Sequence, residues 1–231
     1  MESSAIELSG LRFGWNAAET LLAIENFRVA RGERVFLQGP SGSGKSTLLG
    51  LLGGVLVPSR GSVRILGIDL RALGAARRDA FRADHIGIIF QQFNLLPFLN
   101  ARDNITLACR FSARRRERAG APIAEAQRLM TALGLDAARF AAQPAHSLSV
   151  GQQQRVAAAR ALIGAPELII ADEPTSALDA QTRDAFLQLL FAECERAGST
   201  LLFVSHDAAL APHFTRALRL ADLQHSEHVP A

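Results

Sequence analysis

The sequence predicts an α/β fold built around a mostly parallel sheet. Three observations support this prediction. Short, strongly apolar segments recur along the 231 residues, segments of helical periodicity separate them, and a glycine-rich segment joins one predicted strand directly to a helix. The length suits one compact domain into which a further lobe is inserted.

The elements follow from these patterns in chain order. Residues 5–37 alternate short apolar runs with glycines, which predicts two or three strands, the last over residues 34–38. Later strands are predicted over residues 61–67, 86–90, 168–171 and 200–204. Helices are predicted over residues 47–53, over most of 100–163 with breaks near 120–122 and 142–147, and over 182–197. The helical middle of the chain is the predicted inserted lobe.

The composition excludes several classes of protein. With 48% hydrophobic and 20% charged residues the chain is neither disordered nor collagen-like. Its longest uncharged apolar stretch, Leu48–Val57, is half of the about 20 residues that a membrane span needs. A net charge of +3 does not indicate a nucleic-acid partner. The N-terminus lacks the features of a signal peptide, and Cys109 and Cys194 lack metal-ligand spacing, so we expect a reducing, cytoplasmic location.

One lysine, Lys45, stands among 24 arginines, and its compact ammonium is not interchangeable with a guanidinium. It lies in a segment that fits the pattern G-x-x-x-x-G-K-[ST], in which backbone N–H groups cradle phosphate oxygens. Lys45 is expected to reach the β- and γ-phosphates of a bound nucleotide, and the Ser46 hydroxyl to bind Mg²⁺. The alternative is a glycine turn before a helix. The predicted phosphate-binding residues are Gly39, Pro40, Ser41, Gly42, Ser43, Gly44, Lys45, Ser46 and Thr47.

Two acids follow the predicted buried strand over residues 168–171. Strand ends deliver side chains to the sheet edge where ligands bind, so Asp172 is expected to hold Mg²⁺. Glu173 projects elsewhere and is the candidate to polarise the attacking water. The alternative is a pair of helix-capping acids before Pro174.

Together these residues carry a resemblance to the ABC ATPases, which covers roughly residues 6–220. The segment 148–155, Leu-Ser-Val-Gly-Gln-Gln-Gln-Arg, resembles the signature motif of that family, and Ser176–Asp179 resembles its D-loop. Gln91 matches the glutamine of the family's Q-loop, and His206 its switch histidine. The resemblance implies a P-loop NTPase core with an N-terminal antiparallel β subdomain. It places this core at residues 1–91 and 160–231, and a helical subdomain carrying the signature at residues 92–159.

The residues of the signature segment also indicate a binding site independently of the resemblance. Ser149 and Gly151 precede a helix predicted to start near Gln152, which makes a second anion-binding helix N-terminus. The resemblance implies a head-to-tail homodimer with two sandwiched ATP molecules, each between the Lys45 loop of one chain and Ser149 of the other. Val150 stands where the family usually has glycine. Either this position is not left-handed or the loop is shifted.

The remaining roles also come from the resemblance. Trp15 matches the aromatic residue that stacks on adenine; Phe13 is the competing candidate, and a core aromatic is the alternative. Gln91 would contact Mg²⁺ and water, and His206 would bridge the γ-phosphate and the dimer interface, unless it only caps a strand. Asp179 would act across the interface.

Residues 82–97 are similar to those of the bacterial lipoprotein-release and macrolide-export group. We expect the chain to act with separate membrane permease subunits, at the cytoplasmic face of the inner membrane, in export or lipoprotein release. The Gln91–Leu99 segment, with apolar residues at 93 and 95–99, is the expected docking site, and ordinary core is the alternative. A second candidate function is an ATPase that drives a non-transport membrane protein. A soluble ATPase of DNA repair or translation is disfavoured.

An arginine cluster lies at Arg110, Arg114, Arg115, Arg116 and Arg118. The simpler interpretation is a solvated helix face. The alternative is contact with anionic lipid headgroups beneath a membrane partner.

Overall fold

The computed structural model describes residues 4–16 and 19–224. The chain divides into two compact units, residues 1–82 with 200–231, and residues 83–199. No helix among the described residues is both long enough and apolar enough to cross a bilayer.

The first unit contains an antiparallel sheet near the N-terminus. It has the order β2–β1–β4–β5, formed by β1 (Ser4–Phe13), β2 (Leu22–Ala30), β4 (Arg60–Ile65) and β5 (Ile68–Asp69). Buried side chains of β1, including Ile6 and Leu8, lie on the core face of this sheet. The predicted strands are confirmed, with β4 beginning and ending slightly earlier than the pattern indicated.

The first unit also holds three parallel strands, with β3 (Arg34–Gln38) between β8 (Thr200–Ser205) and β9 (Arg216–Arg219). Gln38 is in register with Ser205 on one side and with Arg219 on the other. The carboxyl ends of all three strands therefore lie at one edge. Helix α1 (Lys45–Leu52) follows the loop after β3, so it starts two residues earlier than predicted.

Four strands and helices were not predicted from the sequence. These are β5, β9, the short α9 (Leu220–Gln224) that follows β9, and α2 (Ala75–His85). None of the residues of α2 is fully buried. Phe81 is its only large apolar residue, so the sequence carries little apolar signal for this helix.

The second unit contains two parallel strands, β6 (Ile86–Ile89) and β7 (Leu168–Asp172), paired from Ile86–Leu168 to Ile89–Ala171. Its helices are α3 (Ala101–Phe111), α4 (Ala113–Ala119), α5 (Pro122–Ala132), α6 (Ala137–Phe140), α7 (Val150–Leu162) and α8 (Ala180–Ala197). The predicted break near residues 120–122 is confirmed, and further breaks occur at Ser112 and between α5 and α6.

Helix α7 packs closely on β6 in this unit. A Cβ atom on Gly87 would lie 2.2 Å from the carbonyl oxygen of Ala161, so only glycine allows this approach. Ala157, Ala158 and Ala159 are buried, and small side chains of this kind let the helix lie near the strand. The position of α7 is thus fixed by close packing.

Candidate functional site

The glycine-rich loop of the first unit runs from the end of β3 into α1. Gly44 caps α1 with φ +94°, a left-handed conformation that glycine adopts at little cost. A Cβ atom there would also lie 2.8 Å from Leu22 Cδ2. The first turn of α1, which contains Lys45 and Ser46, therefore starts directly at the end of the loop, and its N–H groups carry a partial positive charge there.

Lys45 is buried, and its ammonium lies over the backbone of the same loop. Its Nζ donates to the carbonyl oxygens of Gly39 at 2.6 Å and Pro40 at 3.0 Å. A Cβ atom on Gly39 would lie 2.7 Å from Ser43 Oγ. That hydroxyl is buried, and no described residue offers it a hydrogen-bond partner. Cationic and N–H donors thus converge on one small loop, which suits an anion with several oxygen acceptors.

The parallel strands bring a second set of residues to this loop. His206 directly follows β8, and it shares a cavity of about 400 Å³ with the start of the loop. The cavity is lined by Gln38, Gly39, Pro40, Ser41, His206, Arg219 and Ala221. Arg219 was missed because β9 is too short and too rich in arginine to show a strand pattern.

Trp15 lies just beyond β1, and its side chain is 70% exposed. Its ring meets that of Phe13 edge to face, with centroids 5.3 Å apart, whereas Phe13 is only 8% exposed. Phe13 is therefore the core aromatic of the pair, and the core alternative for Trp15 is wrong. Leu22, which pairs with Phe13, is also the residue nearest to Gly44, so this end of the hairpin borders the loop.

The two acids of the second unit differ in backbone conformation. Asp172 ends β7, and Glu173 follows with φ +45° and 7% exposure. A left-handed conformation costs a residue with a side chain about 1–3 kcal/mol, so the surroundings must hold it. The side-chain amide of Gln154 on α7 donates to the carbonyl oxygen of Pro174 at 2.7 Å. This bond fixes the turn directly after Glu173.

Gln91 is exposed, two residues beyond the end of β6. After it, Phe93 and Asn94 have φ +59° and +48°. Their carbonyl oxygens both accept from the Arg160 guanidinium, at 2.6 Å each. The structural roles of Arg160 and Gln154 were not predicted, because in the sequence Arg160 is only a polar residue in an alanine-rich segment and Gln154 is one of three successive glutamines.

None of the apolar residues after Gln91 is fully buried, but they differ in exposure. Phe98 is 75% exposed and Pro97 is also exposed, so the core alternative is wrong for these two, whereas Phe93, Leu95, Leu96 and Leu99 are half-buried. The backbone of this segment is nevertheless held firmly. The buried Asn104 amide donates to the carbonyl oxygens of Leu96 at 3.0 Å and Leu99 at 3.2 Å, and its oxygen accepts from Leu96 N–H at 2.8 Å.

Ser149 caps α7, which begins at Val150 rather than near Gln152. Ser149 and Gln152 form a reciprocal capping box, with Ser149 N–H donating to Gln152 Oε1 at 2.8 Å. Val150 is thus the first helical residue, with negative φ and 50% exposure. Of the two explanations for valine here, the first holds: the position is not left-handed. Gly151 lies in the same first turn.

Asp179 is exposed and caps its own helix, α8. Its carboxylate accepts from Thr182 N–H at 3.0 Å and from the Thr182 hydroxyl at 2.7 Å. These two hydrogen bonds lower the pKa of Asp179, and the one from the Thr182 backbone N–H has the larger effect. The cap explains why α8 starts at Ala180, two residues before the predicted start.

The arginine cluster is only partly a solvated face. Arg115 is buried and donates to the carbonyl oxygens of Ile163 at 2.8 Å and Ala161 at 2.6 Å, at the C-terminus of α7. Burial lowers its pKa to about 10. Arg114 and Arg118 both pair with Glu167, at 2.6 and 2.8 Å. The solvated-face prediction is therefore wrong for Arg115, whereas Arg114 and Arg118 are exposed and pair with Glu167 at the surface.

A family model described as "ABC transporter" matches residues 22–176. The lipoprotein-releasing system ATP-binding protein LolD of Geobacter metallireducens is 40% identical over 223 residues, covering 95% of this chain and 97% of that protein. The macrolide export ATP-binding/permease protein MacB 1 of Aeromonas hydrophila is 42% identical over 226 residues, covering 96% of this chain. This chain spans only 34% of that relative's length.

Solved structures agree with these sequence matches. The dimeric structure of MJ0796, a bacterial ABC transporter cassette, superposes with a TM-score of 0.80 at 36% identity, covering 93% of this chain and 94% of that one. A post-hydrolysis dimer of MJ0796 with ADP and phosphate gives a TM-score of 0.78 at 36% identity, covering 93% of both chains. The predicted α/β fold is confirmed, and the chain belongs to the ABC transporter family of ATP-binding, ATP-hydrolysing subunits.

Proposed function

We propose that this chain binds ATP with Mg²⁺ on the Gly39–Thr47 loop and uses its hydrolysis to drive a membrane permease. The observation that carries the proposal is the buried Lys45 ammonium at the N-terminus of α1, beside loop N–H groups. This donor set fits a triphosphate, and the exposed ring of Trp15 would stack on the base. The hydroxyl of Ser46, the carboxylate of Asp172 and the amide oxygen of Gln91 are hard oxygen donors, which fit Mg²⁺. The ion would neutralise phosphate charge.

Glu173 is proposed as the group that accepts a proton from the attacking water. Its backbone is held in a left-handed conformation, which sets where the side chain leaves the chain. Gln91 would orient the same water. His206, at the edge of the cavity beside the loop, would donate to the γ-phosphate oxygens.

The signature residues are proposed to act on the ATP of a second copy of this chain. The capped N-terminus of α7 exposes Ser149, with Gly151 and Gln152 in its first turn, and offers an anion site of its own. Asp179 would act at the same interface. The MJ0796 structures to which this chain is similar are dimeric, which supports an ATP-dependent homodimer.

The membrane partner is proposed to dock on the Gln91–Leu99 segment, whose exposed Phe98 stands on a firmly held backbone. An exposed aromatic on a rigid support suits a partner helix. The printed names of the relatives, for macrolide export and lipoprotein release, favour an export or release system. The chain would then lie at the cytoplasmic face of the membrane through that partner. The division into a core of residues 1–91 and 160–231 and a lobe of 92–159 stays a prediction.

Affinity capture tests this function. Tagged Glu173→Gln protein is incubated with Mg²⁺ and ATP in detergent-solubilised membranes, and the captured proteins are identified. We expect an integral membrane protein that is lost when Phe98→Asp is added. Phe111→Asp is the matched control, because Phe111 is equally exposed at 75% but lies at the end of α3. Recovery of soluble proteins alone, or equal loss with both substitutions, contradicts the proposal.

A further inference from the structure

Backbone strain in the second unit is concentrated beside the two groups proposed to act on water. Of its described residues other than glycine, Phe93, Asn94, Ala165 and Glu173 have a left-handed backbone. The first two follow Gln91 in its loop, and the last is the proposed base itself. Residues with side chains persist in this conformation only where neighbouring groups hold them, and such strain gathers at functional sites.

One helix, α7, holds both of these places. The two nitrogen atoms at the end of the Arg160 side chain donate in parallel to the carbonyl oxygens of Phe93 and Asn94, at 2.6 Å each. The planar fork of a guanidinium suits two converging acceptors, which a lysine cannot engage together. Burial lowers the pKa of Arg160, and these two carbonyl oxygens compensate its desolvated charge.

The second contact lies nearly two turns earlier on the same helix. Gln154 is buried and donates to the carbonyl oxygen of Pro174 at 2.7 Å, directly after Glu173. Its own amide oxygen is buried, and no described residue offers it a hydrogen-bond partner. The bond to Pro174 therefore sets the orientation of this amide, and the amide in turn fixes the turn at Glu173.

The far end of α7 is itself anchored. Arg115 donates to the carbonyl oxygens of Arg160, Ala161 and Ile163, at 3.1, 2.6 and 2.8 Å. These bonds satisfy carbonyl groups that a helix C-terminus leaves without partners. Helix α7 is thus a rigid support, and its other end carries Ser149.

We propose that Arg160 and Gln154 are positioning residues that tie the Gln91 loop and the Glu173 turn to α7, so that both groups move with this helix. The inference rests on the proposed roles of Gln91 and Glu173. It also predicts that a ligand contact at Ser149 is transmitted to both groups, because all three are attached to one helix of 13 residues.

The test compares Arg160→Lys and Gln154→Leu with wild type in the full-length chain. For each variant we expect kcat for ATP hydrolysis to fall about tenfold and KM for ATP to stay within about twofold, because neither side chain belongs to the phosphate loop. Amide hydrogen exchange is expected to speed up locally, in residues 91–96 for Arg160→Lys and in residues 173–178 for Gln154→Leu.

Arg128→Lys is the matched control. Arg128, on α5, bonds to Glu125 and Glu193 at 2.7–3.1 Å and touches neither loop, so kinetics and exchange in both loops should match wild type. Wild-type exchange in the two loops of the test variants would overturn the proposal. So would faster exchange throughout residues 83–199 with loss of ATP binding, which indicates a purely structural role.

A separate outcome concerns the roles on which the inference rests. If Gln91→Ala and Glu173→Gln hydrolyse ATP normally, the proposed roles of those residues fail, while the exchange data still decide whether α7 holds the loops.

Discussion

The proposed phosphate loop, Gly39–Thr47, and the two loops that carry Gln91 and Glu173 are held in their conformations by different kinds of contact. In the phosphate loop, glycine adopts the left-handed conformation and Lys45 bonds to carbonyl groups five and six residues away. In the second unit, Phe93 and Glu173 adopt that conformation despite their side chains, and partners 20 to 67 residues away hold them. The conformation of the phosphate loop therefore depends on its own residue types. The conformations of the Gln91 and Glu173 loops depend on the helix that supports them.

Replacing the lysine is expected to have the largest effect. Lys45→Arg should lower the rate of ATP hydrolysis about a hundredfold or more, since a planar guanidinium does not fit the buried position over Gly39 and Pro40. Arg64→Lys, on an exposed part of β4, is the control and should leave the rate unchanged. Steady-state phosphate release measures both. An active Lys45→Arg variant would show that the loop needs only a positive charge.

Acid should loosen the second unit, because charged side chains hold it together. Burial raises the pKa of Glu167, but hydrogen bonds from Arg114 and His85 outweigh it and lower the pKa to about 2. A carboxyl group with a lowered pKa stabilises the fold above its ordinary pKa near 4.5, and this contribution disappears as the pH falls towards 2.

We therefore expect Glu167→Gln to reduce the free energy of unfolding at pH 7 by at most about 3 kcal/mol, with no difference from wild type near pH 2. Urea unfolding across this pH range measures it. Asp79→Asn is the control, because its ion pair with Arg82 is largely exposed and should matter little at any pH. A pH-independent difference for Glu167→Gln would show that packing, not charge, matters there.

Val150→Gly should change the rate of ATP hydrolysis by less than about tenfold. Val150 is the first residue of α7 with an ordinary helical backbone, and glycine at an exposed helix position costs less than about 1 kcal/mol. Measuring the ATPase rate of this variant beside that of wild type tests the prediction. Loss of activity would mean that the signature segment is adapted to valine.

The smallest expected effect is a difference in stability, which reports the backbone strain at Glu173 separately from any role of its carboxylate. Glu173→Gly should be more stable than Glu173→Ala by about 1 kcal/mol, because glycine accepts φ +45° without strain. Glu117 is the control, because it is an exposed residue within α4. There the alanine variant should be more stable than the glycine variant, since alanine favours the helical conformation. Thermal unfolding of the four variants measures both differences. An alanine variant at 173 as stable as the glycine variant would show that the backbone there is not strained.

The same contrast explains how much the sequence could reveal. The glycine-rich loop, the strands at 34–38 and 168–171, and the two acids after the second strand follow from local patterns, because glycines and apolar runs encode them. The roles of Arg160, Gln154 and Arg115 could not be predicted, since they depend on backbone groups that come near only in the folded chain. Arg219 was missed for a related reason, because β9 is defined by its pairing with β3.

The most direct test of the sandwich dimer is the solution mass of Glu173→Gln with and without Mg²⁺ and ATP, measured by light scattering. We expect the 24.8 kDa chain to double its mass with ATP, because binding continues while hydrolysis stops. Adding Ser149→Arg should return the variant to a monomer that still binds ATP, since Ser149 is proposed to contact the nucleotide of the other chain. Glu173→Gln that binds ATP and stays monomeric would contradict the proposed dimer.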